Sequence, residues 1–450
     1  MKRLVIACIA AAAISACTGE TNFPTATGKG SVMALNAIAT SPEIGFLIEE
    51  RTAGAANFKA NTAPRDWDDL DYTFHFEVVI PPQPGTTRIA SQFLNVVANM
   101  EYTFLVWGAL AAPTITIWEK PIRTFDGTAT VFEMRVGHAA EVLGTVDAYY
   151  ALDGVAPVLG EQFATLAPGE ISATADFDSD GSYVFTVTAE GDPGNVLFQS
   201  AATPLLSNQS VVLTIFEGDA NDTAPVVSKV INSAGLSTTL VDARSLPTTR
   251  YVHATMDLAT SDIYDDAALT NRIVADLAFG DATGDLDSPV GELPITFTAA
   301  GNPGAILHET TLTTFTGTRL NFYMSVDTTV DPDALIGVRQ IVDRRSIETV
   351  ARLTFFHSAV NHSSVDLYIV DSGTMIDEVL PRQILLPYRQ QTPAVALTEG
   401  SFDVYITTSG EKTILDGPIP FDTVLGGVYE AVLIDRVDPA LAEFKFLPAP

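Results

Sequence analysis

The chain has 450 residues, of which 47% are hydrophobic, and it carries a formal net charge of −31 from 55 acidic and 24 basic side chains. The hydrophobic content excludes a disordered acidic chain, and the length predicts three or four domains. The strong negative charge disfavours binding to nucleic acid and to anionic lipid headgroups.

The first residues predict a secretory signal peptide. Lys2 and Arg3 form a short positive segment, an apolar run covers residues 4–14, and small residues precede Cys17. The apolar run is too short to span a bilayer, which needs roughly 20 residues. Cys8 lies inside this run without small neighbours on both sides, so we expect it to be removed with the leader.

The sequence Ile-Ser-Ala-Cys ending at Cys17 resembles the lipobox of bacterial lipoproteins. The resemblance implies cleavage after residue 16, a diacylglycerol on the Cys17 sulfur and an acylated amino terminus, which together anchor a protein stably. Thr18 follows instead of Asp, as in lipoproteins sorted to the outer membrane. An ordinary signal peptide is the alternative. We expect export across the inner membrane and a lipid anchor in the outer membrane.

Both cysteines of the chain lie in or at the edge of this leader. The mature domains are therefore expected to contain neither a disulfide nor a thiolate metal site. Residues 17–29, rich in Thr, Gly and Asn, are predicted to form a flexible tether after the lipidated cysteine.

Beyond the tether the sequence is typical of β-structure. Runs such as Tyr183–Thr188 and Phe402–Ile406 alternate apolar and polar residues, and turns rich in Gly, Pro, Asp and Asn separate them. The apolar stretch 104–118 is predicted to form two strands, divided by Gly108 and Pro113, and not a membrane span. The expected fold class is all-β.

One signature recurs three times: a His, an Asp nine residues later and a Tyr eleven residues later. A degenerate copy with Asn36 in place of the His precedes them. The three full copies are His138, Asp147 and Tyr149; His253, Asp262 and Tyr264; and His357, Asp366 and Tyr368. Internal repetition of this kind indicates tandem structural units.

Other fragments repeat at similar spacing. Residues 188–194 (TAEGDPG) match residues 298–304 (TAAGNPG), and residues 241–245 (VDARS) match residues 342–346 (VDRRS). These matches predict four units of a common domain size. We place unit 1 at 30–129, unit 2 at 130–246, unit 3 at 247–348 and unit 4 at 349–450.

Unit 4 shows the strand pattern most clearly, with seven candidate strands at 350–356, 365–370, 383–387, 394–397, 402–407, 413–415 and 429–434. Short strands with regular turn signals predict an antiparallel sandwich of immunoglobulin-like type. A transthyretin-like Greek-key sandwich is an equal alternative.

The motifs Val-His-Ala at 252–254 and Phe-His-Ser at 356–358, each followed by Asp-x-Tyr, make the chain similar to a bacterial envelope family. This family is catalogued as domain of unknown function 4397. The resemblance covers units 2 to 4 and is weak in unit 1, which lacks the His, Asp and Tyr. It implies tandem domains in a secreted or lipid-anchored protein, and it implies no activity.

A His held by an Asp is one half of a general-base dyad. The sequence offers no nucleophile motif such as G-x-S-x-G beside it. We therefore predict that each His fixes the bend between the first two strands of its unit, by bonding to the Asp or to nearby backbone. The three Tyr are predicted to be half-buried strand residues.

Asp176, Asp178 and Asp180 imitate the start of a calcium loop, but Val187 stands where the loop needs Glu. An acidic hairpin turn is predicted, with weak calcium binding as the alternative. No phosphate or dinucleotide motif is present, so no cofactor is expected. The pair Arg344-Arg345 is predicted to bridge neighbouring acidic domains.

These features predict a non-enzymatic envelope lipoprotein. Its sandwiches would form a stalk or rod with a structural or adhesive role towards a protein or glycan partner. The alternative is an envelope hydrolase or carbohydrate-active protein that uses one His/Asp pair.

Overall fold

A computed structural model of the chain describes residues 24–329 and 334–449. The predicted leader and Cys17 lie outside the described residues. Eight sheets of four or five strands account for nearly all regular structure, which confirms the predicted class of tandem β-sandwiches. The tether predicted over 17–29 ends earlier than expected, because Thr27 and Gly28 donate their N–H groups to Asp69 and a strand begins at Lys29.

The strands of units 1 and 2 follow one another without long helices. Unit 1 contains β1 (Lys29–Asn36), β2 (Ile44–Ile48), β3 (Arg51–Ala56), β4 (Arg65–Asp68), β5 (Asp71–Val78), β6 (Thr87–Asn95), β7 (Met100–Ala109) and β8 (Ala112–Pro121). Unit 2 contains β9 (Val131–His138), β10 (Val146–Leu152), β11 (Ala164–Leu166), β12 (Ala175–Asp178), β13 (Tyr183–Ala189), β14 (Asp192–Gln199), β15 (Ser210–Glu217), β16 (Val226–Asn232) and β17 (Ser237–Leu240).

Units 3 and 4 repeat this series. Unit 3 contains β18 (Thr248–His253), β19 (Ser261–Tyr264), β20 (Arg272–Leu277), β21 (Leu286–Asp287), β22 (Gly291–Ala299), β23 (Asn302–Thr314), β24 (Arg319–Asp327) and β25 (Ala334–Ile341). Unit 4 contains β26 (Ala351–His357), β27 (Ser364–Asp371), β28 (Gln383–Pro387), β29 (Val395–Leu397), β30 (Gly400–Thr408), β31 (Ile414–Thr423), β32 (Val428–Asp435) and β33 (Ala442–Phe446). Within the described part of the chain, 3₁₀ turns cover Glu141–Leu143 and Ile376–Glu378.

All four units have the same topology. Counted within a unit, one sheet has the strand order 4-1-7-8, which β17 extends by a fifth strand in unit 2, and the other has the order 3-2-5-6. The first and seventh strands pair in parallel, and the other described strand pairs are antiparallel. This order differs from the A-B-E-D and C-F-G sheets of an immunoglobulin constant domain. This order excludes the immunoglobulin-like alternative and leaves the transthyretin-like one of the two that the sequence predicted.

The apolar stretch 104–118 forms parts of β7 and β8, which confirms the prediction of two strands. Within the described residues, no helix has the length and apolar character needed to cross a membrane.

The first strand of each unit is buried on both faces. In β18 all six residues are buried: Tyr251 packs in the core of unit 3, whereas its neighbour Val252 packs against unit 4. Such a strand has buried apolar residues on both faces, as Tyr251 and Val252 show. The double-sided burial shows that the 4-1-7-8 sheet of each unit has a second partner.

That partner is the 4-1-7-8 sheet of the neighbouring unit. Between units 1 and 2 the buried side chains are Leu35, Ala37, Phe58, Leu105, Trp118, Ala139, Phe216, Val227 and Ile231. Between units 3 and 4 they are Val252, Ala254, Tyr323, Phe356, Val432, Ile434 and Leu447. The Tyr323 and Phe356 rings stack with centroids 4.0 Å apart. The chain is thus built from two face-to-face pairs of sandwiches.

The two pairs also contact each other. Glu348 donates its N–H to the Thr40 carbonyl (2.9 Å), and Arg319 donates from Nε to the Asp222 carbonyl (3.0 Å). Units that are not consecutive in sequence therefore touch. The expectation of a stalk with units in series is wrong in this respect, because an apolar pattern identifies buried residues without identifying the surface that buries them.

Candidate functional site

Each signature His lies at the end of the first strand of its unit and is fully buried. The His138 Nε2 lies 2.8 Å from the Gly144 carbonyl, and its Nδ1 accepts the Ala140 N–H (3.4 Å). The ring thereby closes the loop between the first two strands. The hydrogen bonds of this ring thus go to backbone groups of the same loop.

The other two rings occupy the equivalent place. His253 Nε2 lies 3.2 Å from the Ala259 carbonyl, and His357 Nδ1 accepts the Ala359 N–H (3.3 Å). Burial lowers the pKa of all three rings, that of His357 to about 3. The rings are therefore neutral at physiological pH.

In unit 1, Asn36 occupies the position of the His and bonds to the loop between the first two strands. Its Oδ1 accepts the Ile38 N–H (3.0 Å), and its Nδ2 donates to the Ser41 hydroxyl (2.9 Å) and to the Ala56 carbonyl (3.1 Å). The residue two positions after the signature residue is bonded in the same way by Asn36, His138 and His357. The degenerate copy in unit 1 therefore preserves the loop contact with a different side chain.

Each signature Asp fixes a turn of the other sheet. The buried carboxylates accept the N–H of a glycine in the turn between the fifth and sixth strands, where φ is between 70° and 77°. An L side chain is strained at such φ values, so glycine is required there. The pairs are Asp147 with Gly191 (2.8 Å), Asp262 with Gly301 (3.1 Å) and Asp366 with Gly410 (2.9 Å).

The same carboxylates also hold the third strand of the sheet. Asp262 accepts the N–H of Asp276 (2.9 Å), and Asp366 accepts the N–H of Leu385 (2.7 Å). Both donors have positive φ, at 52° and 50°. The Asp therefore stabilises an irregular part of the third strand together with the hairpin turn.

The signature residues do not form a dyad. Within residues 24–329 and 334–449, no ion pair or hydrogen bond joins a signature His to a signature Asp, and their recorded bonds go to other groups. Tyr149, Tyr264 and Tyr368 are 4%, 6% and 3% exposed, which is more buried than predicted. The arrangement holds strands and loops together and offers no open reaction centre.

The acidic turn predicted in unit 2 is partly a strand: Asp176 and Asp178 lie in β12 at the edge of its sheet, and Asp180 lies in the turn that follows. Asp176 is paired with the Arg123 guanidinium, and Asp178 and Asp180 are exposed. Across the described ranges, no three or more His, Cys, Asp or Glu side chains are grouped to hold a metal ion. The Asp176 carboxylate is therefore already paired with an arginine side chain.

A buried polar junction connects units 3 and 4. Arg344 donates from Nε to Glu430 (2.7 Å), from Nη1 to Asp285 (2.7 Å) and from Nη2 to Asn321 (2.9 Å). Arg250, which is 0% exposed, donates to the other Glu430 oxygen (3.3 Å). Breaking one member of such a buried pair is costly because it leaves an uncompensated charge.

The adjacent Arg345 reaches a different unit. Its Nη1 donates to the carbonyls of Ala39 (3.1 Å) and Ser41 (2.7 Å) in unit 1. Arg344 and Arg345 therefore bridge units, which confirms the prediction for this pair. Their partners Glu430 and Asn321 were not identified from the sequence, because no motif links residues that lie so far apart in the chain.

Comparisons with known proteins give no family for the chain. No protein-family model matches it, and no curated protein matches it. Among solved structures, a TIE protein of Bacillus anthracis has 9% identity and a TM-score of 0.15, covering 92% of this chain and 69% of that one. The T6 backbone pilin of serotype M6 Streptococcus pyogenes has 9% identity and a TM-score of 0.12, covering 66% of this chain and 81% of that one. At these scores the two likenesses carry no argument about function.

Proposed function

We propose that the chain is a non-enzymatic lipoprotein of the bacterial envelope, anchored through Cys17, whose four sandwiches act as a rigid scaffold that presents a binding surface. The observation that carries this proposal is that each signature His and Asp is bonded to backbone of its own unit. These contacts support a structural role for the signature in units 2, 3 and 4.

Rigidity is supported by the two kinds of contact between units. Apolar sheet faces pack within each pair of sandwiches, and buried Arg, Glu and Asn side chains connect units 3 and 4. Buried polar groups of this kind favour one relative orientation, since a shift would leave them unpaired. A fixed orientation suits a scaffold that displays a surface away from a membrane.

The hydrolase alternative lacks a comparable observation. A general base must be able to accept a proton near neutral pH, but burial lowers the pKa of His138, His253 and His357. If His253→Ala and His357→Ala variants stayed folded and lost turnover of a substrate, the scaffold proposal would be wrong.

The anchor is tested by expressing the full chain in a diderm bacterium as wild type, Cys17→Ser and Cys8→Ser. Detergent phase partitioning and intact mass are measured for each protein. We expect the wild type and the matched Cys8→Ser control to enter the detergent phase with an acyl mass, and Cys17→Ser to stay aqueous. A Cys17→Ser chain that still carries a lipid, or a wild type without one, contradicts the anchor.

A further inference from the structure

The interface between units 1 and 2 contains two equivalent places. At each, the eighth strand of one unit runs beside the loop between the third and fourth strands of the other unit. One place combines β16 with residues 57–64 of unit 1, and the other combines β8 with residues 167–174 of unit 2. Of the described residues, a segment of unit 2 fills the first place and none fills the second.

The filled place contains β17. Residues Ser237–Leu240 pair antiparallel with residues 228–231 of β16 and extend that sheet to five strands. Just before β17, the Gly235 carbonyl accepts a hydrogen bond from Asn61 Nδ2 (2.9 Å), and Gly235 lies against Pro64. A short uncharged segment thus binds by strand addition and by contact with the loop of the facing unit.

The open place is equivalent residue by residue. Asn61 forms an isolated antiparallel β-bridge with Leu35, and Ile171 forms the corresponding β-bridge with Gly137 in unit 2. In unit 1, Leu35 pairs with Leu105, which pairs with Thr116. In unit 2, Gly137 pairs in the same way with Thr214, which pairs with Lys229. Residues 115–118 of β8 therefore correspond to residues 228–231 of β16, where β17 pairs.

At this position the structure has a groove of about 930 Å³. Thr116, Ile117 and Trp118 form one wall, and residues 162–166 and 169–175 form the other. The groove therefore lies between elements that are equivalent to those enclosing β17 at the first place. One of its walls belongs to the segment of β8 that is equivalent to the β16 segment with which β17 pairs.

The edge of β8 is free to bind a strand at Ile115 and Ile117 but not at the Glu119 carbonyl. Arg135 Nη1 donates to the Glu119 backbone carbonyl (3.0 Å), so the backbone groups of Glu119 face away from β7. Because alternate residues of an antiparallel strand face the same side, Ile117 and Ile115 also direct their N–H and C=O groups away from β7. Within the described residues, these groups have no recorded hydrogen-bond partner.

The eighth strand of unit 4 is less accessible. The Phe444 N–H in β33 is bonded to Asp416 (2.7 Å), and the Lys445 ammonium crosses the neighbouring groove to Asp281 (3.3 Å). These contacts occupy the edge at which a strand would be added. The observations therefore favour β8 over β33.

We propose that the groove beside β8 binds an uncharged extended segment of a partner protein by antiparallel strand addition, as β17 binds to β16. Main-chain hydrogen bonds supply affinity in this mode of recognition, and flanking side chains supply specificity. The net charge of −31 disfavours an acidic strand, and the occupant of the equivalent place is Ser-Thr-Thr-Leu. The inference does not depend on the lipid anchor.

The test uses a fluorescent peptide of residues 234–241 as the probe, added to the purified full chain. Asn232 donates its N–H to the Leu236 carbonyl, so alternate residues of β16 face β17, and Thr238 is the register partner of Val230. The Thr238 N–H therefore points towards the paired strand, and the Thr239 N–H points away. Peptides N-methylated at one or the other position form a matched pair that leaves the protein unchanged.

We expect the unmodified and N-methyl-Thr239 peptides to bind to the chain, which is measured by fluorescence anisotropy. Both peptides should slow hydrogen exchange in residues 112–121. The N-methyl-Thr238 peptide is expected to bind at least about tenfold more weakly, which corresponds to about 1.4 kcal/mol. Equal affinity of the two methylated peptides overturns the proposal, as does absence of slowed exchange in β8. Hydrogen-exchange changes confined to β16 would mean that the probe replaces β17. Dimerisation that the peptide disrupts would mean that a second copy of the chain supplies the strand. Either result overturns the assigned occupant.

Discussion

The carboxylate of Asp366 accepts the N–H of Gly410, which lies 44 residues further along the chain, at 2.9 Å. The same bond joins Asp147 to Gly191 in unit 2 and Asp262 to Gly301 in unit 3. The repeated Asp is thus the buried acceptor for a glycine turn of the neighbouring strand.

Replacing this acceptor is expected to destabilise unit 4. In Asp366→Ala the N–H groups of Gly410 and Leu385 lose their acceptor, which costs about 1–3 kcal/mol for a buried donor. Asp366→Asn keeps one acceptor oxygen and should lose less. Urea denaturation followed by circular dichroism measures both variants, and equal stability of Asp366→Ala and wild type would contradict the role assigned to the carboxylate.

The buried rings should make stability depend on pH. The pKa of His357 is about 3 in the folded chain because of burial, compared with about 6.5 when unfolded. Between these values the unfolded chain binds more protons, so the free energy of unfolding falls as pH is lowered from about 6.5 towards 3, by up to about 1.4 kcal/mol per pH unit for this group. Denaturation at several pH values should give a smaller slope for His357→Asn than for wild type. An unchanged slope would mean that the ring is accessible to protons in the folded state.

Gly137 makes room for Trp118 between units 1 and 2. A Cβ at Gly137 would lie 2.4 Å from the Trp118 ring, whose Nε1 donates to the Gly169 carbonyl (2.7 Å). Gly137→Ala should therefore cost about 1–3 kcal/mol through overpacking. Gly127→Ala is the matched control, because its Cβ would meet no atom within 4 Å. Thermal unfolding of the two variants checks this, and equal midpoints would contradict the packed interface.

The polar junction should couple units 3 and 4. Arg344→Ala leaves Glu430 with a reduced set of donors, and loss of one buried partner costs about 3–5 kcal/mol. A double-mutant cycle with Glu430→Gln should give non-additive losses, and calorimetry of Arg344→Ala should separate the unfolding of the two units. Additive losses with a single unchanged transition would show that the contact does not hold the units together.

The sequence predicted features that depend on local pattern. Alternation along residues 402–406 and 183–188 predicted strands that the structure contains as parts of β30 and β13. The seven candidate strands of unit 4 all overlap observed strands, although the candidate at 413–415 covers only the beginning of β31. The eighth strand, β33, was missed although Ala442, Phe444 and Phe446 alternate there with Glu443 and Lys445. A short strand close to the end of a chain gives a weak periodic signal.

Features that depend on distant contacts were not predictable. The match between residues 188–194 and 298–304 marked the turns that contain Gly191 and Gly301, but nothing local showed that Asp147 and Asp262 accept their N–H groups. The fixed spacing of His and Asp suggested a shared site, although the two side chains hold different loops. Pairing of whole sheets between units was also not predictable, because the sequence of a strand such as β18 does not show which surface buries its second face.

The most direct test of the structural role is the free energy of unfolding of His138→Ala and His138→Asn. Asn36 shows that an amide can replace the ring, so Asn should retain most of the stability that Ala loses, which is about 1–3 kcal/mol. If both variants keep the wild-type stability, or if Asn is no better than Ala, the ring does not hold the loop and the account of the signature is wrong.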